Sequence, residues 1–458
     1  MKYSLQFIGR RVKPVDLALL ESLIPSGLIR QILDSSGRRT RRFRKICLDQ
    51  IVWLMIAIHL WMNMSIDEVY NQITGSLLAP IGSALVRAGS GAIAYRRDQL
   101  GVAPMVALFH GVCQPIATAA IRGAMLAGLR VMAIDGQVLD VADTPENDRY
   151  FGRPTTDRGF GAYPQARVVS LAECGTHTII DAGIWPYRTS ERIGGRRLLR
   201  SVGEGALVMV DCGMYSFEWI RCILNSKAHA LARLAKHIHC EPVQILEDGS
   251  QLVDVHQRDA RGKLTGQTLR LRLITYTITD PNLPGHNKIY RLLTTLLDPR
   301  TASAHELAVA YHERWEIELA FDERETHLHP ARPTLRSKKP LGVLQEIYGW
   351  LIAHYVIRRI MVDAALRADI DPDRLSFVHA VRVIQTSLVA FQNHTVAKCA
   401  ELYDIVLAKI VRFPLPTRRL RIWSRVVKQK MSNFKLKRSK HHQTYLKQTT
   451  YTNVIALI

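Results

Sequence analysis

The seven cysteines of this chain include no Cys-x-x-Cys pair, and their number is odd. That excludes a disulfide framework and a four-cysteine zinc ribbon, and it suits a reducing compartment. The sequence also lacks an apolar run of the roughly 20 residues that a bilayer-spanning helix requires. Its longest, "IVWLMIAIHLWM" from Ile51 to Met62, carries His59 inside it and reads as a buried helix. No continuous apolar core follows the basic start "MKYSLQFIGRRVKPVD", so neither export nor a membrane anchor is expected. There is no internal repeat. The expected location is the cytoplasm.

Positive charge is what the sequence has in excess. Sixty-two Lys and Arg face forty Asp and Glu, giving a formal net charge of +22 and a pI near 9.9. A polyanion is the natural partner, and nucleic acid is the first candidate. The charge is uneven. "SSGRRTRRFRK" (Ser35 to Lys45) has six basic residues and no acid, and Val411 to Thr450 has twelve and no acid. Each segment reads equally as a grip on phosphates or as a solvated stretch. With 458 residues, 47% of them apolar, the chain exceeds what one core serves, and two or three structural units are expected.

Texture divides the chain further. Through about residue 125, apolar residues recur at helical spacing, as in "VDLALLESLI" and "LDQIVWLMIAIHLWM". From Arg130 short β-type runs take over: "RVMAIDGQVLDVADT", "ARVVSLAEC", "HTIIDAGIWPY", then the helix-like "SERIGGRRLLRSV" and the strand "ALVMVDCGM". Three strands, a helix and a further strand predict a mixed sheet with helical cover. The helix-like "SFEWIRCILNSK" follows, and between about Pro242 and Tyr290 turn-formers separate alternating segments, which predicts a β-rich insertion. From about Leu341 the chain is helical again.

Acid is concentrated where the chemistry is expected. Asp135 follows the apolar run "RVMAI" and Asp211 follows "ALVMV", which predicts two carboxylates at strand ends, a rigid mount for a metal ligand. The bland alternative for each is a turn or cap aspartate. "YHERWEIELAFDERE" (Tyr311 to Glu325) carries eight charged side chains. Counted round a helix from Tyr311, Arg314, Glu318 and position 325 fall at about 300° to 340°, within about 60° of Tyr311. Ile317, Phe321 and Leu328 form an apolar seat at about 240° to 280°. Glu313, Glu316 and Glu323 fall on the remaining arc and read as a solvated face. Asp322, at about 20°, is a rival to Glu318 that the wheel leaves open. Three such carboxylates could hold two divalent ions about 3.5 to 4 Å apart, and magnesium suits an all-oxygen site of this kind.

At this helix the chain resembles the bacterial DDE transposases of insertion sequence family four, whose signature is Tyr-x2-Arg-x3-Glu-x6-Lys. Tyr311, Arg314 and Glu318 match it. The stretches "AIDGQVLDVADTPENDRYFG", "PQARVVSLAECGTH", "YRLLTTLLDPRTASAHELAVAYHERWEIELAFDE" and "LRSKKPLGVLQEIYGWLIAHY" are similar to the family in its order, and "SLQFIGRRVKPVDLALLESLIPSGLIRQIL" is similar to one branch's N-terminal domain. The resemblance implies an α/β fold: a ribonuclease-H-like mixed sheet core with a β-rich insertion, flanked by helical N- and C-terminal regions. Expected boundaries are 1–125 for a DNA-binding domain, 126–340 for the core with its insertion at about 240–290, and 341–458 for a helical region with a basic tail. It implies Asp135, Asp211 and Glu318 as the catalytic triad holding two Mg2+, with Mn2+ as a substitute. Tyr311 and Arg314 take the family's place for contacts to DNA backbone. Arg336 and Lys338 of "LRSKKP" are further phosphate candidates. Cut-and-paste transposition on double-stranded DNA is implied, at transposon ends and target, by a homodimer associated with the nucleoid.

Two departures stand against the pattern. Glu325 occupies the signature's Lys position, and "CGMY" after Asp211 supplies Cys212 and Met214 where the family has Arg-Gly-Phe-Tyr. A catalytically impaired, DNA-binding derivative is the alternative these departures raise. A nuclease or resolvase for branched DNA would share the metal chemistry without the full-length match.

Overall fold

Apolar residues at three and four spacing form the helices α1 (Ser26–Ser35), α2 (Leu48–Ala57), α3 (Ile66–Thr74), α4 (Ser90–Leu100) and α5 (Ala103–Val112) in the computed structural model. The β-type runs then become β1 (Leu129–Val141), β2 (Gln165–Glu173), β3 (Ile179–Pro186) and β4 (Ala206–Val210), with α6 (Pro145–Phe151) after β1 and α7 (Glu191–Leu198) after β3. Next come α8 (Phe217–Asn225), β5 (His229–Arg233), β6 (Glu241–Ile245), β7 (Gln251–Arg258), β8 (Leu264–Ile278) and β9 (Tyr290–Thr294). There follow α9 (Ala304–Glu313), β10 (Thr334–Leu335), α10 (Pro340–Arg367), α11 (Phe377–Ser387), α12 (Val396–Val411) and β11 (Ile455–Leu457). The structure describes residues 18–21, 23–38, 46–61, 64–74, 89–156, 159–281, 286–313, 323, 334–391, 396–416, 421–422, 444–445 and 451–458. Most of the two basic segments, 39–45 and 423–443, lies outside them. No helix among the described residues is long and apolar enough to cross a membrane.

Two compact units divide the chain, one of residues 1–122, 134–198 and 316–414, the other of 123–133, 199–315 and 415–458. In the first, α10 is the axis: 28 residues, about 42 Å of helix, starting on Pro340 and buried on nearly every side. It packs against α2, α5, α11 and α12. α2, buried from Ile51 to Ala57, meets α10 where Gly349 leaves room, since a Cβ there would lie 2.0 Å from the Met55 carbonyl oxygen. Gly349→Ala is therefore expected to destabilise the protein. Alanine's helix preference offers about 1 kcal/mol, but forcing two packed backbones apart should leave a net loss of about 1–3 kcal/mol, measured as a lower urea midpoint. The strands of this unit run in the order β3-β2-β1, with β10 added in parallel to the end of β1 through Thr334↔Asp140 and Leu335↔Val141.

In the second unit β1 pairs in parallel with β4 from Arg130↔Ala206 to Ala133↔Met209, and β4 with β5 from Leu207↔His229 to Val210↔Ala232. All five residues of β4 are buried, as a central parallel strand requires, which is why it reads as an unbroken apolar run. Beyond β5 the sheet continues antiparallel as β9, β8, β7 and β6. β11, near the chain's end, pairs with β8. Strand order 3-2-1 in one unit and 1-4-5 in the other is that of a ribonuclease-H-like mixed sheet, here with four strands added after the fifth.

Candidate active site

Asp135 lies within β1, not at its end as the sequence predicts. The strand runs on to Val141 because β10 pairs with its last two residues and Gln165 donates to Asp140 Oδ1 at 2.8 Å. Asp135 is half-buried, and the Gly136 amide donates to its Oδ1 at 2.8 Å. Glycine at 136 lets Glu191 approach: a Cβ would stand 2.7 Å from Cγ of Glu191, whose carboxylate is held by Arg167, so that side chain would have to shift.

Asp211 is the first residue after β4. The Met214 amide donates to its Oδ1 at 2.9 Å, and a Cβ on Gly213 would come within 3.3 Å of the same oxygen. The turn thus wraps its own backbone round a half-exposed carboxylate. Met214 and Tyr215 close the turn from inside, both buried, so methionine keeps an apolar residue at the inward position. Both acids follow a register pair by two residues, Ala133 before Asp135 and Met209 before Asp211.

α9, the helix that opens the signature, is fixed at both ends. Ser303 and Glu306 form a capping box, the Ser303 amide donating to Glu306 at 2.9 Å and the Glu306 amide to Ser303 Oγ at 3.2 Å. Asp248, in the turn between β6 and β7, accepts the Ala304 amide at 2.7 Å. Arg272 on β8 is fully buried and donates to Asp248, to Ser250 Oγ at 2.7 Å and to the Ala302 carbonyl at 2.7 Å. Burial alone would raise the Asp248 carboxyl, but bonds from Ser250 and the Ala304 amide, with the Arg272 charge, hold it below the usual range. The β-rich insertion therefore grips the start of this helix. In the sequence "DGS" is only a turn-former, and the alternation of "TLRLRLITY" does not separate the buried Arg272 from the exposed Arg270. At the other end Tyr311 is 4% exposed, and its hydroxyl donates to the Val210 carbonyl at 3.3 Å, one residue before Asp211.

Arg314, Glu318, Asp322 and Glu325 lie outside the described residues, as does the apolar seat of Ile317, Phe321 and Leu328. Glu323 is described, and it is not part of a solvated face. It is largely buried against Arg358 and His354 of α10 and His177 of the β2–β3 turn, with Arg358 Nε at 2.8 Å and His354 Nε2 at 3.2 Å. Burial favours the neutral acid, yet Arg358 and the hydrogen bonds from His177 and His354 hold the carboxyl well below its ordinary value. A buried cation supplied by another helix overrode the surface reading.

The "LRSKKP" loop is anchored from beneath. Arg97 is buried and donates to Ser337 Oγ at 2.7 Å and to the Gly342 carbonyl at 2.9 Å, with Glu346 3.7 Å away. Arg336 is half-buried and donates to the Met64 carbonyl at 2.7 Å. Lys338 is exposed, while its carbonyl accepts the Thr144 hydroxyl at 2.8 Å.

Asp135 and Asp211 suit a hard divalent cation: each is only half-buried, offers oxygen alone, and is oriented by one backbone amide. No group of three or more His, Cys, Asp or Glu placed to hold a metal occurs among the described residues, which do not include Glu318.

Comparison with known proteins agrees with the resemblance. Residues 14–110 match the insertion element 4 transposase N-terminal region, and residues 126–356 match the transposase DDE domain. The chain is 29% identical over 420 residues to the transposase InsG for insertion sequence element IS4 of Escherichia coli K12, covering 90% of this chain and 92% of that protein. It is 27% identical over 236 residues to the putative transposase InsZ of the same organism, covering 51% and 76%. Among solved structures, a piggyBac transposase synaptic complex with hairpin DNA aligns over 90% of this chain and 87% of that one, at 10% identity and a TM-score of 0.43. Enzymes with this domain bind and cleave DNA and use divalent metal ions. With the DDE domain model spanning the strands, the insertion and the signature helix, and the N-terminal model spanning α1 to α5, this chain belongs to the insertion sequence family four DDE transposases.

Proposed function

We propose that Asp135, Asp211 and Glu318 are the carboxylates that hold two Mg2+, or Mn2+ in their place, for cleavage and strand transfer at the ends of an insertion sequence. The observation that carries this reading is the Asp211 turn. Its carboxylate is oriented by the Met214 amide, and its strand end is tied through the Val210 carbonyl to Tyr311, which precedes Glu318 by seven residues on the signature segment. Bound cations supply a lowered pKa for the attacking water and stabilise charge on the leaving oxygen. The chain's own part is to hold the two carboxylates rigid by strand and amide, and to keep Tyr311, seven residues before the third acid in the sequence, at the turn. Arg314, Arg336 and Lys338 are assigned to DNA backbone; Tyr311 contributes through Val210, its hydroxyl being turned inward in this structure.

The reaction on this reading is cut-and-paste transposition: hydrolysis frees a 3′ hydroxyl at a terminal repeat, and that hydroxyl attacks target phosphodiesters. A paired-end complex makes the acting species a homodimer on DNA at the nucleoid. The test is incubation of the full chain with Mg2+ and duplexes ending in the element's terminal repeats. A nick at the repeat boundary is expected, and folded protein that binds the duplex without nicking it would remove the catalytic reading. Glu325, an anion in the signature's Lys position, favours a second reading in which this copy is impaired. Glu325→Lys should then raise nicking by about tenfold or more, because a charge-assisted phosphate contact contributes about 1.5–3 kcal/mol; an unchanged rate would discard it.

A further inference from the structure

Helix α7 carries a basic face that neither the triad nor the signature accounts for. The helix lies flush on its sheet because Gly194 and Gly195 are buried: a Cβ on Gly194 would meet Val169 Cγ2 at 2.6 Å and the Trp185 ring at 3.0 Å. Its outer side carries the exposed Arg192, Arg196 and Arg197, and the exposed Arg188 stands in the preceding turn. Glu191 is the one acid of the helix, and Arg167 takes it. The guanidinium of Arg197 sits 5.9 Å over the Trp185 ring. Arg192 and Arg196 are four residues apart, about 6 Å along one side of the helix. Their distance from the catalytic strand is short, since the Glu191 side chain is packed on the backbone of Gly136, the neighbour of Asp135.

We infer that this face of α7 binds the phosphates of double-stranded DNA as it passes the strand bearing Asp135, an inference that rests on the transposase reading above. Planar guanidinium groups displayed on an exposed helix face are the side chains best suited to phosphate oxygens. Rigid seating by glycines gives the row a fixed position, which a solvated loop of arginines would lack. Backbone contacts of this kind bind without reading sequence, and each adds to the salt dependence of binding.

The test measures duplex affinity against salt concentration for the full chain, for Arg192→Gln/Arg196→Gln, and for the charge-matched control Arg122→Gln/Arg382→Gln, whose arginines are exposed elsewhere. The α7 pair should lower the magnitude of the salt slope by about 1.8 and the affinity at 0.1 M salt by about ten- to hundredfold. Arg192→Lys/Arg196→Lys should keep most of the slope, and thermal melting should not move. One arm uses duplex ending in the terminal repeat and one uses unrelated duplex. Loss in both arms assigns the row to any DNA, loss in the first alone to transposon ends, and loss in the second alone to target. No change in either arm, or an equal loss in the control, overturns the inference. Wild-type protein that binds neither duplex would instead overturn the transposase reading.

Discussion

Asp211→Asn should lower single-turnover nicking by at least about 10³-fold while leaving duplex binding within a factor of about three. The amide is nearly isosteric, so the Met214 amide keeps an oxygen acceptor and the turn keeps its shape. What is lost is one unit of negative charge at the cation. Metal-assisted stabilisation at phosphorus is worth several kcal/mol, and about 4 kcal/mol corresponds to 10³ in rate. Asp135→Asn should behave alike, since the Gly136 amide holds that carboxylate in the same manner. If either variant nicks at more than a tenth of the wild-type rate, its carboxylate is not a metal ligand in the reaction.

Arg358→Leu is expected to cost about 3–5 kcal/mol, the usual result of leaving a buried charge without its partner. Glu323 would be left with His354 and His177 to replace a guanidinium that touches it through two nitrogens. Arg358→Leu/Glu323→Leu should recover most of the loss, because removing both charges together is often neutral. Urea unfolding monitored by circular dichroism separates the two outcomes, and equal losses in the single and double variants would show that packing, not charge, dominates. The sign with pH follows from the direction of the Glu323 shift. Its folded value is below the unfolded one of about 4.3. The stabilisation is therefore fully present above that pH and is lost as pH falls through the folded value. Glu323→Gln should flatten this acid limb and leave the neutral-to-alkaline profile unchanged.

Much of the core was legible because central parallel strands read as continuous apolar runs, and "RVMAI" and "ALVMV" are such runs ending on an acid. The β-rich insertion was legible from turn-formers spaced between alternating segments. What escaped reading was long-range polar pairing. Glu323 falls about 120° from Tyr311 on a helical wheel, an angle that reports only the helix's own faces. Its environment is decided by Arg358, 35 residues further on, and by His177, nearly 150 residues earlier in the chain. Arg272 and Asp248 escaped for the same reason, 24 residues apart and joined only once the hairpin folds. The extent of β1 past Asp135 is not readable from the local sequence because its last residues are held by β10, which enters from nearly 200 residues downstream. Arginines of α7 were visible as letters, but their outward display depends on Gly194 seating against Val169.

In the proposed reaction it is the metal ions held by the carboxylates that act directly on the scissile phosphate. The most direct measurement is single-turnover nicking of terminal-repeat DNA in which sulfur replaces a non-bridging oxygen of that phosphate. Sulfur is a poor ligand for Mg2+ and a better one for Mn2+. The rate in Mg2+ should fall by about tenfold or more and recover in Mn2+, since softer donors shift the preference between these ions. Asp211→Asn should recover in neither. A rate in Mg2+ indifferent to the sulfur, or full activity with a chelator in place of metal, would contradict the claim.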